Sequence, residues 1–213
     1  MTHPWTITAV NEITAEPQRI AVLFPAAGRK VGREPVDPAA DPLGVLSGTT
    51  DDAAREALVG ALLAALPADG AATTLRDLYR YGDDAERRGV LRGLNAGVLS
   101  AEAASGGPTL AEPIVAAGRE LVADALRTND PRLVAAALGP FATVHLDDHG
   151  WHHGVLKALF MGIPLAAVAG IDERGDAELA RMAAALIAER RAAGREISAD
   201  MTRLATIQTT PGG

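Results

Sequence analysis

Residues 50–67 read TDDAAREALVGALLAALP, and their spacing decides the fold class. Asp51 and Asp52 suit the positive end of a helix, Leu58, Leu62, Leu63 and Leu66 recur at helical intervals to make one apolar face, and Pro67 stops the run. The same grammar repeats toward the C-terminus. A short helix is expected over about 73–81, and Asp83 with Glu86 three residues on is a capping-box start for a helix that turns Val90, Leu91 and Leu94 inward. Thr109 and Glu112 repeat that signature before Ile114, Val115, Leu121, Val122 and Leu126, which predicts a helix to about Arg127. Asn129-Asp130-Pro131 restarts the chain with proline in its favoured first-turn position, and Gly139-Pro140 ends that helix after Leu138. The stretch 100–108, SAEAASGGP, reads as a Gly/Ser-rich linker.

Upstream of residue 50 the pattern breaks. Pro4, Pro17, Pro25, Pro35, Pro38 and Pro42 interrupt every apolar period, so residues 1–48 read as a poorly helical arm with at most a β-like run near Trp5–Val10. Residues 49–206 form the helical domain, and 207–213 read as a flexible tail. The expectation is an all-α single domain of antiparallel helix pairs, stacked right-handedly as in a HEAT-like α-solenoid. A weak internal repeat aligns YGDDAERRGVLRGL (81–94) with LDDHGWHHGVLKAL (146–159), either as a trace of duplication or as shared helix-start chemistry.

Composition narrows the function classes. At 213 residues, 48% hydrophobic and 22% charged, the chain is long enough for one well-packed core, and only 3% aromatic content beside abundant alanine and leucine favours helices over sheets. A net charge of −7 with scattered Lys and Arg argues against a nucleic-acid partner. There is no cysteine, hence no disulfide or thiolate chemistry. Met1–Pro17 lacks the charge and apolar pattern of a secretion signal, and no apolar run reaches the ~18 residues of a membrane span, so a cytoplasmic chain without membrane insertion is expected.

The chemistry concentrates in residues 145–195, which hold His145, His149, His152 and His153. A helix begun at Asp147 or Asp148 carries Trp151, Val155, Leu156, Leu159 and Phe160 on one apolar half, with His152 in its middle. His149, His153 and Lys157 follow at i, i+4 and i+8 along its edge. Three readings compete. In the first, His149 and His153 share a divalent ion, with His145, Asp147 or Asp148 as further ligands, although the His-Glu-x-x-His pattern is missing. In the second, His149, His153, Lys157 and an arginine surround a phosphate or carboxylate. In the third, His152 is a core histidine with one partner and the others are solvated.

The last helix, capped by Asp176 and ended by Gly194, faces Leu179, Met182, Ala183, Leu186 and Ile187 inward, and Arg190 falls on that face. A buried guanidinium needs a partner, for which Asp172, Glu189 and Asp124 are the candidates. The loop Gly28-Arg29-Lys30-Val31-Gly32-Arg33 could close over an anion, but it is neither a Walker loop nor a dinucleotide fingerprint, and no Gly-x-Ser-x-Gly elbow occurs.

Several of these residues fall in a recognisable order: Leu126-Arg127-Thr128-Asn129, Trp151 with Val155–Phe160 and Gly162, Pro164 and Leu165, Gly170-Ile171-Asp172 with Arg174, Glu178–Met182, and Glu189-Arg190 with Ala192–Arg195. In that order they resemble the EboA family, over roughly residues 50–205. The resemblance implies an all-helical partner in a bacterial gene cluster that also holds a prenyltransferase, a sugar-cyclase-like enzyme and metal-dependent hydrolases, and a role in making or moving a small metabolite. The positions carried over are Arg127, Asn129, Trp151, Lys157, Asp172, Arg174, Glu189 and Arg190. His152-His153 stands where the family pattern has Asn-Gln or Arg-Gln, Glu189-Arg190-Arg191 replaces Glu-Arg-Trp, and the N-terminal helix of longer members is not legible.

Together these readings lead to a protein that binds a polar anionic metabolite, sugar- or cyclitol-like, with no cofactor and no metal assigned. His149, His153 and Lys157 are the candidates for catalysis should it be an isomerase, lyase or cyclase, with His149 or His153 as base. Arg127, Asn129, Trp151, His152, Asp172, Arg174 and Arg190 are the candidates for ligand binding. A third possibility is a scaffold that docks other enzymes of its pathway.

Overall fold

The computed structural model describes residues 2–105 and 110–207. Among these residues there are only helices and turns, with one isolated β-bridge between Pro35 and Thr49, so the protein is all-α. In chain order the helices are α1 (Pro4–Ala15), α2 (Ile20–Val31), α3 (Thr50–Ala65), α4 (Ala68–Arg80), α5 (Asp84–Ser105), α6 (Glu112–Ala125), α7 (Pro131–Ala137), α8 (Pro140–His145), α9 (Asp148–Phe160), α10 (Ile171–Arg174), α11 (Ala177–Ala192) and α12 (Ala199–Ala205). Helices α1, α3, α5, α7, α9 and α11 touch in that order, and α4, α6 and α8 form a second run of contacts. The two runs meet mainly through α5, which packs on α4, α6 and α8, with smaller contacts between α3 and α4 and between α6 and α7.

The N-terminal arm is the main correction. Residues Pro4–Ala15 and Ile20–Val31 are helical, and Ala9, Ile13, Ile20, Phe24 and Ala27 are buried in the core. Pro4 and Pro17 sit in first turns, where a missing N–H costs nothing, so these prolines start elements and do not break them. Only Pro25 lies inside a helix, and tertiary packing of Phe24 and Ala27 outweighs its cost. The basic segment Gly28–Val31 is the last turn of α2 and not a loop; Gly32, at φ +85°, ends it. Likewise α5 continues to Ser105, through much of the expected linker. The rest of that linker, Thr109 of the expected capping box, and tail residues 208–213 lie outside the described residues. Helix α6 starts at Glu112 with Ala111 in the capping position and no side-chain cap.

The expected caps at Asp83, Asp147 and Asp176 are present, while those of His3, the Thr49–Asp52 box, Asp130 and Ser198 are found only in the structure. Asp83 accepts from the Glu86 N–H while Glu86 accepts from the Asp83 N–H, and Asp130, Asp147 and Asp176 each cap a helix through a side-chain oxygen. The aligned stretches 81–94 and 146–159 are thus equivalent helix starts. They also share a close helix contact: a Cβ on Gly89 would meet Arg55 Cβ at 2.7 Å, and one on Gly154 would meet Leu138 Cδ2 at 2.7 Å.

Helices α3 and α5 form the densest pair. Gly93 lets them approach, since a Cβ there would lie 2.4 Å from Val59 Cβ. Between them runs a buried ionic network. Arg88 Nε donates to both Asp52 oxygens at 2.8 and 2.7 Å, Arg92 stands 3.6 Å from the same carboxylate, and Arg55 Nη1 donates to Asp51 at 2.6 Å. Arg55 Nε also reaches the Phe24 carbonyl, tying in α2. Burial acts to raise the Asp51 pKa, but hydrogen bonds from Thr49 and Arg55 and the charges of Arg55 and Arg88 outweigh it and hold the carboxyl below its ordinary range. Asp51 therefore contributes stability above the ordinary aspartate pKa that is lost as pH falls through its lower folded value.

Asp52→Ala would strand two guanidinium groups, one of them nearly fully buried. The variant is expected to lose about 3–5 kcal/mol in urea unfolding, against about 1–3 kcal/mol for Gly93→Ala, which overpacks the same helix pair without uncovering a charge.

Candidate functional site

Helix α9 presents two faces. Trp151, Val155, Ala158 and Leu159 are buried, and Asp147 Oδ1 caps the helix by accepting from the Gly150 N–H. Phe160, expected on the apolar half, is 56% exposed because α9 ends there and turns away. His149 and His153 lie on the solvent side with ring centroids 4.3 Å apart. Across from them runs α11, whose contact with α9 leaves an open groove between the two helices.

Two adjoining hollows make up this groove. One, of about 540 Å³, is lined by Asp148, His149, His152, His153, Asp176, Glu178, Arg181 and Met182. The other, of about 640 Å³, is lined by Asn129, His153, Leu156, Lys157, Phe160, Met161, Arg181, Met182, Ala185, Leu186 and Glu189. His153, Arg181 and Met182 border both. His149, His153 and Lys157 of α9 thus border the groove, with His152 lining the first hollow and Asn129, from the turn before α7, lining the second.

Charge along the groove is partly spent. His152 is buried, with Nε2 3.4 Å from Asp176 Oδ1, so it is a core histidine with a carboxylate partner at the groove floor. Arg181 makes two hydrogen bonds to Glu178, at 2.8 and 2.6 Å, and these lower the Glu178 pKa. Lys157, His149 and His153 carry no ion pair or hydrogen bond from their side chains among the described residues. Nor does any group of three His, Cys, Asp or Glu among those residues stand close enough to hold a metal, so the pair at i, i+4 lacks the further ligands that a metal would need.

The remaining candidates lie away from the groove. Trp151 is fully buried, with the Arg174 guanidinium 4.8 Å from its ring centroid. Arg174 is a connector: Nη1 donates to the carbonyls of Ala142 (3.3 Å), Thr143 (2.8 Å) and Leu146 (3.2 Å), satisfying the end of α8, and Nη2 donates to Asp148 at 2.6 Å at the start of α9. The Arg174 hydrogen bond and charge lower the Asp148 pKa. Asp172 pairs with Arg203 of α12 at 2.9 Å. Arg190 does not meet a carboxylate; its Nε donates to the Glu196 carbonyl at 3.0 Å, because the chain folds back after Gly194. Arg127 is exposed on the turn after α6. Sequence reasoning left out Arg181 as a groove residue, expected Met182 in the core where it is half-buried at the groove, and took Asp176 only as a cap.

His145, the remaining histidine of this segment, stacks on Phe141 at 4.7 Å, and its buried Nε2 has no hydrogen-bond partner. Burial, with the Arg119 charge second, lowers its pKa. The unfolded chain then takes up a proton at the ordinary histidine pKa while the folded protein does not, so this residue's contribution is intact above that range and lost as pH falls through it. A His145→Gln variant is expected to show a smaller drop in melting temperature between about pH 7.5 and about pH 5.5 than the parent.

The family model described as metabolite traffic protein EboA matches residues 108–206, from just before α6 to the end of α12. The whole groove lies in that stretch, and so do the motifs that carried the resemblance, which is narrower than the 50–205 first read. No curated protein and no solved structure matches the chain. Among the described residues no helix is long and apolar enough to cross a membrane.

Proposed function

We propose that this protein handles a small polar anionic metabolite, phosphorylated or carboxylated and sugar- or cyclitol-like, and holds it in the groove between α9 and α11. The observation that carries this reading is the row His149, His153 and Lys157, three nitrogen donors without partners on one wall of a groove inside the EboA-matching segment. An anion needs only local positive charge and donors, and Arg181 on the facing helix can turn from Glu178 to give a planar pair of N–H groups. Asn129 and the apolar Met182 and Leu186 suit the hydroxyls and the carbon face of such a ligand. Binding is favoured over catalysis because, among the described residues, neither His149 nor His153 makes a side-chain hydrogen bond that would orient it as a base.

Sugar phosphates and cyclitol phosphates should raise the melting temperature, with about 2.7 kcal/mol of stabilisation at a hundred times the dissociation constant, whereas the uncharged parent sugars should not. Lys157→Glu combined with His153→Glu should weaken that binding by about tenfold or more, roughly 1.4 kcal/mol, without lowering the melting temperature of the free protein. Flat melting curves across the charged compounds, or unchanged affinity in the double variant, would remove the assignment.

A further inference from the structure

A further hollow, of about 770 Å³, lies outside the EboA-matching segment, between the start of α2 and one side of α4. Its size is that of a small-molecule site. Ile20, Phe24, Leu66 and Leu78 give it an apolar floor. Its charged lining groups are all acidic, Asp69, Asp77 and Glu86, the last already accepting from the Asp83 N–H, while the Gln18 amide and the Tyr81 phenol are its uncharged donors. Asp69 and Asp77, both exposed on α4, stand at its rim without an ion pair or side-chain hydrogen bond among the described residues, and no Lys or Arg lines the hollow. Eight residues along a helix place them about 12 Å apart, so the rim is acidic at both ends. Between them the Thr73 and Thr74 hydroxyls donate to the Asp69 and Gly70 carbonyls, which spends their protons on the helix and leaves only acceptors.

The opposite wall comes from α2. Pro25 sits inside α2 and has no N–H to give the Ala21 carbonyl, and both residues line the hollow. A Cβ on Gly70 would meet only Leu66 Cδ1 at 3.9 Å, so a larger side chain there would extend into the hollow.

An apolar floor with free carboxylates at the rim and no Lys or Arg among the lining residues is complementary to a molecule that combines an apolar body with a cation. We infer that the hollow between α2 and α4 binds an apolar ammonium compound, its hydrocarbon or aromatic part on Phe24 and Leu78 and its ammonium group at Asp69 or Asp77. The site is separate from the α9–α11 groove and takes the opposite charge.

The test titrates the full chain, with amide resonances followed by NMR, using three probes of similar shape: 2-phenylethylamine, 2-phenylethanol and 3-phenylpropanoate. Saturable shifts confined to residues of α2 and α4 are expected for the amine, with affinity about tenfold above the alcohol and little binding of the carboxylate. Asp69→Asn with Asp77→Asn should erase the preference for amine over alcohol. Gly70→Leu should fill the hollow and abolish binding of both while leaving the melting temperature unchanged or higher. Equal binding of amine and alcohol, unaltered binding in Gly70→Leu, or no saturable response to the amine would each overturn the inference.

Discussion

The fold depends on two adjacent carboxylates, Asp51 and Asp52, held in the interior at the start of α3. Each is nearly fully buried, and buried charge is tolerated only when it is paired and hydrogen-bonded. Asp51 faces Arg55 one turn along the same helix, and through Arg55 it reaches the Phe24 carbonyl of α2. Asp52 faces Arg88 and Arg92 of α5, and its Oδ2 also accepts from the Thr49 N–H. The arrangement fixes the rotation of α3 relative to α5, and the apolar faces of both helices can meet in one register only. Gly93 then allows the backbones to close.

A second junction, built on Arg174, does for the C-terminal half what that network does for the N-terminal half. Its guanidinium lies over Trp151, satisfies carbonyls at the end of α8 and holds Asp148 at the head of α9. The orientation of α9 follows from it, and with it the line of His149, His153 and Lys157 along the groove. Arg174 and Trp151 therefore bear on the site through the helix that carries it, and neither reaches the groove surface.

The two hollows differ in character. The α9–α11 groove falls in the segment that matches the metabolite-traffic family and offers free nitrogen donors, while the hollow beside α2 lies outside that segment and offers oxygen acceptors over an apolar floor. Opposite electrostatics on one small acidic chain arise from local pairing. Near α9 the carboxylates Asp148, Asp176 and Glu178 are taken up by Arg174, His152 and Arg181. Near α4, Asp69 and Asp77 have no ion-pair partner among the described residues.

Helix identity, several caps and the placing of His149, His153 and Lys157 on one edge were legible in the chain itself, because each depends on residues within one or two turns of each other. Asp83 with Glu86, Asp147 and Asp176 act on N–H groups three residues away, and a local rule finds them. What the tertiary structure decided depends on neighbours distant in sequence. The proline-rich start is helical because Phe24, Ile20 and Ala27 gain burial against helices that come later in the chain. Arg190 turns to a carbonyl after a reversal of the chain, and Trp151 is covered by an arginine 23 positions away, as the numbers of Trp151 and Arg174 record. Periodicity reports which side of a helix is apolar; only packing determines what covers that side and which charges remain free for a ligand.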